Sequence, residues 1–167
     1  MRGPFFGKFR GVVSDNRDPL FMGRVRAKVP DVFGDDNESG WAMACAPFVG
    51  KGQGFFAVPD VGVGVWLEFE HGDPEYPVWT GCWWGSMNDI PQDALPLPTQ
   101  KVVLKSIGGH TLTLDDTPGT GGVIIQTSTG QKVSITATGI EIDNGQGGSI
   151  KLQGPQVSVN DDGLQVI

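Results

Sequence analysis

The chain has 167 residues and a formal net charge of −7 at pH 7. This acidic balance argues against a nucleic-acid partner, because nucleic-acid-binding proteins concentrate basic residues on one surface. No run approaches the roughly 18 apolar residues of a membrane helix, and the first residues lack the apolar core of a signal peptide. We therefore expect assembly in the cytoplasm without a signal peptide. Cys45 and Cys82 are too far apart for a CxxC motif and are expected to be reduced core residues.

The first half of the chain has strand patterns rather than helical ones. The 26 glycines and 12 prolines, with no window of apolar residues at i, i+3, i+4 and i+7, predict an all-β protein. Within residues 1–85, five short strands are separated by turn-rich segments, with a long connection between the third and fourth. This arrangement predicts a five-stranded Greek-key barrel of the OB type. The predicted strands are residues 7–14, 23–29, 41–46, 65–70 and 78–83.

Residues 86–100 differ from the sequence on either side. They contain three prolines and no apolar periodicity. Proline fixes φ and removes a backbone donor. We expect an extended linker between an N-terminal barrel and a C-terminal domain of residues 101–167.

The aromatic residues end at Trp84. All five tryptophans, all nine phenylalanines and the single tyrosine lie at or before it. The second half has short aliphatic alternations punctuated by glycine, so it must bury apolar surface without large rings.

Pairs of aliphatic residues separated by one position recur through the second half. Such alternation makes one face of each short strand apolar. Two side chains per strand are too few to offset the ordering entropy of the strand, so the faces need a shared core. A single-chain solenoid and a trimer of three chains both provide one, and the short repeat favours the trimer. The predicted trimer core is Leu112, Leu114, Val133, Ile135, Ile140, Ile142, Ile150, Leu152, Val157 and Val159.

A series of motifs in the first half carries a family resemblance. The most specific run is Glu68-Phe69-Glu70-His71-Gly72-Asp73-Pro74, followed by Pro77 and Gly81. The earlier motifs are Gly11-Val12-Val13, Asp15-Asn16, Asp18-Pro19, Gly23-Arg24-Val25-Arg26, Trp41-Ala42, Ala46-Pro47 and Gly52-Gln53-Gly54-Phe55-Phe56. Residues 5–85 resemble the OB-fold domain of phage baseplate assembly protein V and of VgrG-type spike proteins of contractile injection systems.

The resemblance implies a fold and a function for the whole chain. In that family the barrel is followed by a triple-stranded, intertwined β-helix, which residues 101–167 match independently. It implies a homotrimeric central spike without enzymatic activity, which docks on a baseplate hub protein through the barrel and contacts the target membrane transiently. Its final location would be the tail baseplate of a virion or injection particle.

The C-terminal end of the needle predicts a further contact. Leu164, Val166 and Ile167 from three chains would present apolar surface and free strand edges to water. In the resembling machines a small PAAR-like tip protein covers this end, so these three residues are expected to contact such a partner. A frayed terminus that needs no cap is the alternative.

No residue pattern indicates catalysis or a cofactor. His71 with Glu70 and Asp73 lacks a second histidine or cysteine at ligand spacing, and residues 143–148 lack the spacing of a calcium loop. We expect no catalytic, cofactor-binding or metal-binding residues. The competing functional hypothesis is an OB-fold module that binds single-stranded nucleic acid or glycan and has a β-rich oligomerisation tail. A third hypothesis, a cell-wall hydrolase, is disfavoured because residues 86–100 are too few to form a hydrolase domain.

Overall fold

The computed structural model describes residues 4–96, 100–161 and 163–166, with the backbone alone for residues 165 and 166. The chain divides into two compact units between Asp89 and Ile90. Both are built from strands, and the only α-helix among the described residues is the single turn α1, Pro30–Phe33. The predicted all-β class is therefore confirmed.

The described residues of the first unit, from residue 4 onward, form seven strands. Each of the five predicted strands overlaps one of them, whereas the hairpin formed by β4 and β5 was not predicted. Short 3-10 turns follow β6 at Glu70–Gly72 and end the unit at Met87–Asp89. The strands are β1 Phe9–Asp15, β2 Arg26–Lys28, β3 Met43–Ala44, β4 Val49–Gly50, β5 Gln53–Gly54, β6 Gly64–Phe69 and β7 Pro77–Trp83.

Five of these strands form one sheet in the order β2-β1-β6-β7-β3. The pairings are antiparallel except that of β3 with β7, which is parallel. Isolated bridges join Val25 to Ala42 and Lys28 to Glu38. Backbone hydrogen bonds therefore connect the segment around β3 back to the segment around β2.

The core of the first unit lies inside this sheet. Strand β6 alternates, so that Val65, Leu67 and Phe69 are buried while Trp66 and Glu68 are half-buried. Trp79 is also buried, and its Nε1 donates to the carbonyl of Gly23 at 3.1 Å. The unit thus fills its own interior with large side chains.

The turn between β6 and β7 explains the Gly72-Asp73-Pro74 motif. Gly72 has a φ of 74°, and a Cβ there would lie 2.8 Å from the side chain of Pro4. The Asp73 carboxylate accepts a hydrogen bond from the backbone N–H of Glu75 at 3.0 Å. The motif closes a turn, as its residue types predict.

The two cysteines are free but exposed, so the expectation that they are core residues was wrong. Both line an apolar groove at the surface of the first unit. Partial burial there raises the pKa of the Cys82 thiol. The prediction failed because a small apolar residue on a strand is usually expected to face the core. At the edge of this sheet such a residue instead lies at an opening to solvent.

The second unit is an eight-stranded antiparallel sheet in chain order. Each strand pairs with the one before and the one after it, so all seven ladders lie within one chain. The strands are β8 Lys101–Lys105, β9 Thr111–Asp115, β10 Gly122–Gln126, β11 Lys132–Thr136, β12 Gly139–Asp143, β13 Ser149–Gln153, β14 Gln156–Val159 and β15 Leu164–Val166.

The segment predicted as an extended linker contains local structure. Besides the turn at Met87–Asp89, a second 3-10 turn spans Gln92–Ala94. Asp93 in that turn pairs with Lys105 of β8 at 2.5 Å. Residues 90–96 therefore belong to the second unit rather than to a free spacer.

Candidate trimerisation surface

The register of the second unit aligns its aliphatic residues into two columns that cross the sheet. Directly paired residues of antiparallel strands present their side chains on the same face. One column contains Val102, Leu114, Val123, Ile135, Ile140, Leu152 and Val157, and the other contains Leu104, Leu112, Ile125, Val133, Ile142, Ile150, Val159 and Leu164. We call this the aliphatic face.

Most of the aliphatic face is exposed to solvent in a single chain. Its side chains from β8 to β13, with Leu164, are between 37% and 64% exposed. On the opposite face, Thr113 and Ser134 are only 8% and 7% exposed. Soluble proteins rarely leave a contiguous apolar patch of this extent in water, so the face requires a partner.

The opposite face carries cross-strand ion pairs. Glu141 contacts Lys132 at 3.0 Å and Lys151 at 3.6 Å, and Lys151 also contacts Asp161 at 2.5 Å. The hydrogen bond to Asp161 raises the pKa of Lys151. Charges paired along neighbouring strands offset one another, so this face is polar and differs in kind from the aliphatic face.

Near the first strands, Asp115 lies opposite Lys101 at 3.6 Å. Hydrogen bonds from the hydroxyl and the backbone N–H of Thr117 lower the pKa of the Asp115 carboxyl. Its carboxylate therefore closes the turn after β9.

The turn between β12 and β13 uses its polar side chains to hold its own backbone. Asn144 Oδ1 accepts from the N–H groups of Gln146 at 2.8 Å and Gly148 at 2.9 Å. Asp143 Oδ1 accepts from the N–H of Gly145 at 2.6 Å. Across the part of the chain that the structure describes, no group of three His, Cys, Asp or Glu residues is arranged to hold a metal ion.

All ten residues predicted for the trimer core lie on the aliphatic face. Leu164 lies at the end of one column, and the register places residue 166 at the end of the other. The side chain of Val166 and the whole of Ile167 lie outside the described residues. The expected tip contact of Leu164, Val166 and Ile167 therefore remains a prediction.

Sequence reasoning missed four members of the face, namely Val102, Leu104, Val123 and Ile125. They belong to β8 and β10, where Val103 and Ile124 make the apolar run continuous and hide the alternation. The flanking glycines and the spacing from neighbouring pairs are the signals that would have revealed them.

No helix among the described residues is long and apolar enough to cross a membrane.

Two family comparisons match successive parts of the chain. Residues 9–84 match the family described as the type VI secretion system/phage-baseplate injector OB domain. Residues 101–165 match the phage baseplate V C-terminal trimerisation domain. The second match covers the sheet that carries the aliphatic face from its first residue to residue 165, and it supports a homotrimer.

Curated relatives include several spike proteins. The chain is 38% identical over 88 residues to the type VI secretion system spike protein VgrG5 of Pseudomonas aeruginosa, covering 53% of this chain and 10% of that protein. It is 34% identical over 101 residues to the actin cross-linking toxin VgrG1 of Vibrio cholerae, covering 57% and 9%. It is 32% identical over 112 residues to the spike protein VgrG3 of V. cholerae, covering 62% and 11%.

The matches span about a tenth of the length of these relatives. Like the family matches, they point to spike proteins of contractile injection systems. Residues 9–84 therefore belong to the injector OB-domain family and residues 101–165 to the baseplate V trimerisation-domain family, and the chain is similar to VgrG-type spike proteins.

Proposed function

We propose that this protein is a homotrimeric central spike of a contractile injection machine, a structural component without enzymatic activity. The observation that carries the proposal is the aliphatic face, which is bare in one chain and coincides with a trimerisation domain. Three such faces turned toward a common axis would form a core that no single chain has.

In this proposal the first unit is a closed Greek-key barrel. Support comes from its strand order, the parallel pairing of β3 with β7, and the bridge between Val25 and Ala42. These connections agree with a five-stranded OB barrel, in which the third strand joins the second and the fifth. Such a barrel would dock the spike on a baseplate hub protein.

The second unit is proposed to form one side of a three-chain, intertwined β-helix. Near a threefold axis each residue meets two symmetry copies of itself, which favours aliphatic side chains over rings. Eight strands at a spacing of about 4.8 Å would give a needle on the order of 40 Å long. This needle would transmit the thrust of contraction and cross the target cell envelope.

The C-terminal end of the needle would carry a PAAR-like tip protein on Leu164, Val166 and Ile167. The exposure of Leu164, 58%, supports an uncovered apolar residue at this end. Contact with the target membrane would be transient, and no cofactor takes part.

An OB-fold module for single-stranded nucleic acid or glycan is less well supported. Nucleic-acid grooves of this type need free cations beside aromatic rings. Here Arg24 pairs with Asp18 and Arg26 pairs with Glu38, at 2.6 and 2.7 Å. Two of the three basic residues in residues 24–28 are thereby paired within the first unit.

Mass measurement and particle assembly together test the proposal. We expect sedimentation of the purified chain to give a trimer, with no affinity for oligonucleotides at physiological salt. In the parent contractile particle, replacing Ile142 with Asp should prevent injection while leaving contraction intact. A monomeric chain, or particles that inject normally with this variant, would contradict the spike function.

A further inference from the structure

A loop of the first unit, residues 18–24, is held rigidly by one buried carboxylate. Asp18 is 6% exposed and accepts hydrogen bonds from the N–H groups of Leu20 at 3.0 Å and Met22 at 2.8 Å. It also forms an ion pair with Arg24 at 2.6 Å. The backbone of the loop tip is therefore fixed.

This rigid loop presents an aromatic ring to water. Phe21 is 89% exposed, and its φ is 55°. A bulky residue seldom adopts a positive φ, since glycine or asparagine would do so with less strain. Leu20 beside it is 61% exposed. Nothing within the described chain covers this strained, exposed ring, which points to an intermolecular role.

The same barrel has an apolar groove, which we call the barrel groove. Its volume is about 620 Å³, and none of the described residues that line it is charged. It lies beside the Phe21 loop, since Gly23, Phe56 and Val58 line both this groove and the cavity next to Phe21. Its main lining side chains are Met43, Cys45, Val49, Phe55, Trp79 and Cys82.

Threefold symmetry accounts for both features. In a closed ring of three identical chains, each chain contacts one neighbour through one surface patch and the other neighbour through a different patch. A protrusion on one chain can therefore fill a recess on the next. The exposed ring and the uncharged groove are such a pair. Because the trimerisation domain tethers three barrels together, even a modest contact between them would form at high effective concentration.

We propose that Phe21 of each barrel inserts into the barrel groove of the neighbouring copy, so that the three barrels form a closed ring. This inference rests on the proposed trimer and adds a second interface to it. A second copy of the chain is the favoured occupant for two reasons: the groove has no charged group for a polar ligand, and the tether already supplies the neighbour.

The reactivity of the two native cysteines reports whether the barrel groove is occupied, because both line it. In the native trimer we expect a thiol reagent to modify Cys45 and Cys82 slowly. Phe21→Gly removes the ring and suits the positive φ, so the loop should keep its shape while both thiols react at least tenfold faster. Phe6→Gly is the matched control, since Phe6 is 69% exposed and does not line the groove. In the Phe6→Gly variant, Cys45 and Cys82 should react with the thiol reagent as slowly as in the native trimer.

Cross-linking identifies the occupant directly. Phe21→Cys, treated with a mild oxidant, should join neighbouring chains through Cys45 or Cys82 and give covalent dimers and trimers on a non-reducing gel. Adding Cys45→Ser and Cys82→Ser should abolish them. Phe6→Cys should give no such products.

The outcomes separate this inference from the trimer itself. A trimeric mass with fast thiol reaction and no cross-link would overturn the ring while leaving the spike proposal standing. A monomeric mass would overturn both. Protection of the thiols that arises only when the baseplate hub is added would assign the groove to that partner and overturn the proposed contact between copies.

Discussion

The two units of this protein bury apolar surface in opposite ways. All of the buried apolar side chains among the described residues belong to the first unit, from Val13 to Trp79. Among the described residues of the second unit the buried ones are Thr113 and Ser134, while most of the aliphatic face is exposed. The first unit thus has a core within one chain, whereas in the proposed trimer the aliphatic face of the second would be covered by other chains. Substitutions in the two units should therefore fail in different ways.

The largest effect should come from a charge on the aliphatic face. Ile142→Asp would place three carboxylates in the proposed shared core, and each buried unpaired ion costs several kcal/mol. We expect sedimentation to show single chains instead of trimers, with the barrel still folded by tryptophan fluorescence. Glu141→Gln, one residue away on the opposite face, is the control and should remain trimeric. A trimeric Ile142→Asp protein would mean that this face is not the core.

The next largest effect should come from the core of the barrel. Leu67 is fully buried, so Leu67→Ala should lower the free energy of unfolding by about 2–5 kcal/mol through lost contacts and a cavity. All five tryptophans lie in this unit, so their fluorescence during denaturant unfolding measures it selectively. Val61→Ala, at a side chain 55% exposed, should change stability far less. Loss of the trimer in Leu67→Ala would show that the units are not independent.

A smaller, pH-dependent effect should come from Asp18. Hydrogen bonding to Arg24 lowers the pKa of this carboxyl well below its ordinary value of 3.8. The charged form favours the folded state, so its contribution is complete above pH 3.8 and is lost as the pH falls further. Asp18→Asn should destabilise the barrel at neutral pH and flatten its acid sensitivity, as followed by fluorescence. Asp36→Asn, in an exposed loop, is the control and should leave stability at neutral pH unchanged.

The smallest effect should come from the ion pairs on the face of the second unit opposite the aliphatic face. Glu141→Gln removes partly exposed ion pairs to Lys132 and Lys151, which are worth less than about 1 kcal/mol. Thermal unfolding should show a slight decrease that disappears at high salt. A decrease comparable to that of Leu67→Ala would mean that this face is buried in the assembly.

Much of the fold could be predicted because strand alternation is a local property. The five strands of the barrel and six of the eight strands of the second unit were visible as alternating or turn-bounded runs. Strands β8 and β10 were not, because Val103 and Ile124 interrupt the alternation. The hairpin of β4 and β5 escaped prediction because two-residue strands have no period to detect.

The sequence by itself determined the all-β class, the apolar face of each short strand and the division between an aromatic half and an aliphatic half. These follow from side-chain chemistry and a period of two, which need no distant contact. Only the tertiary structure decided that the aliphatic pairs align into two columns, that Asp18 reaches Arg24, and that Phe21 remains exposed beside an uncharged groove. These depend on strand register and on loops folding back, where residues far apart in the chain come together.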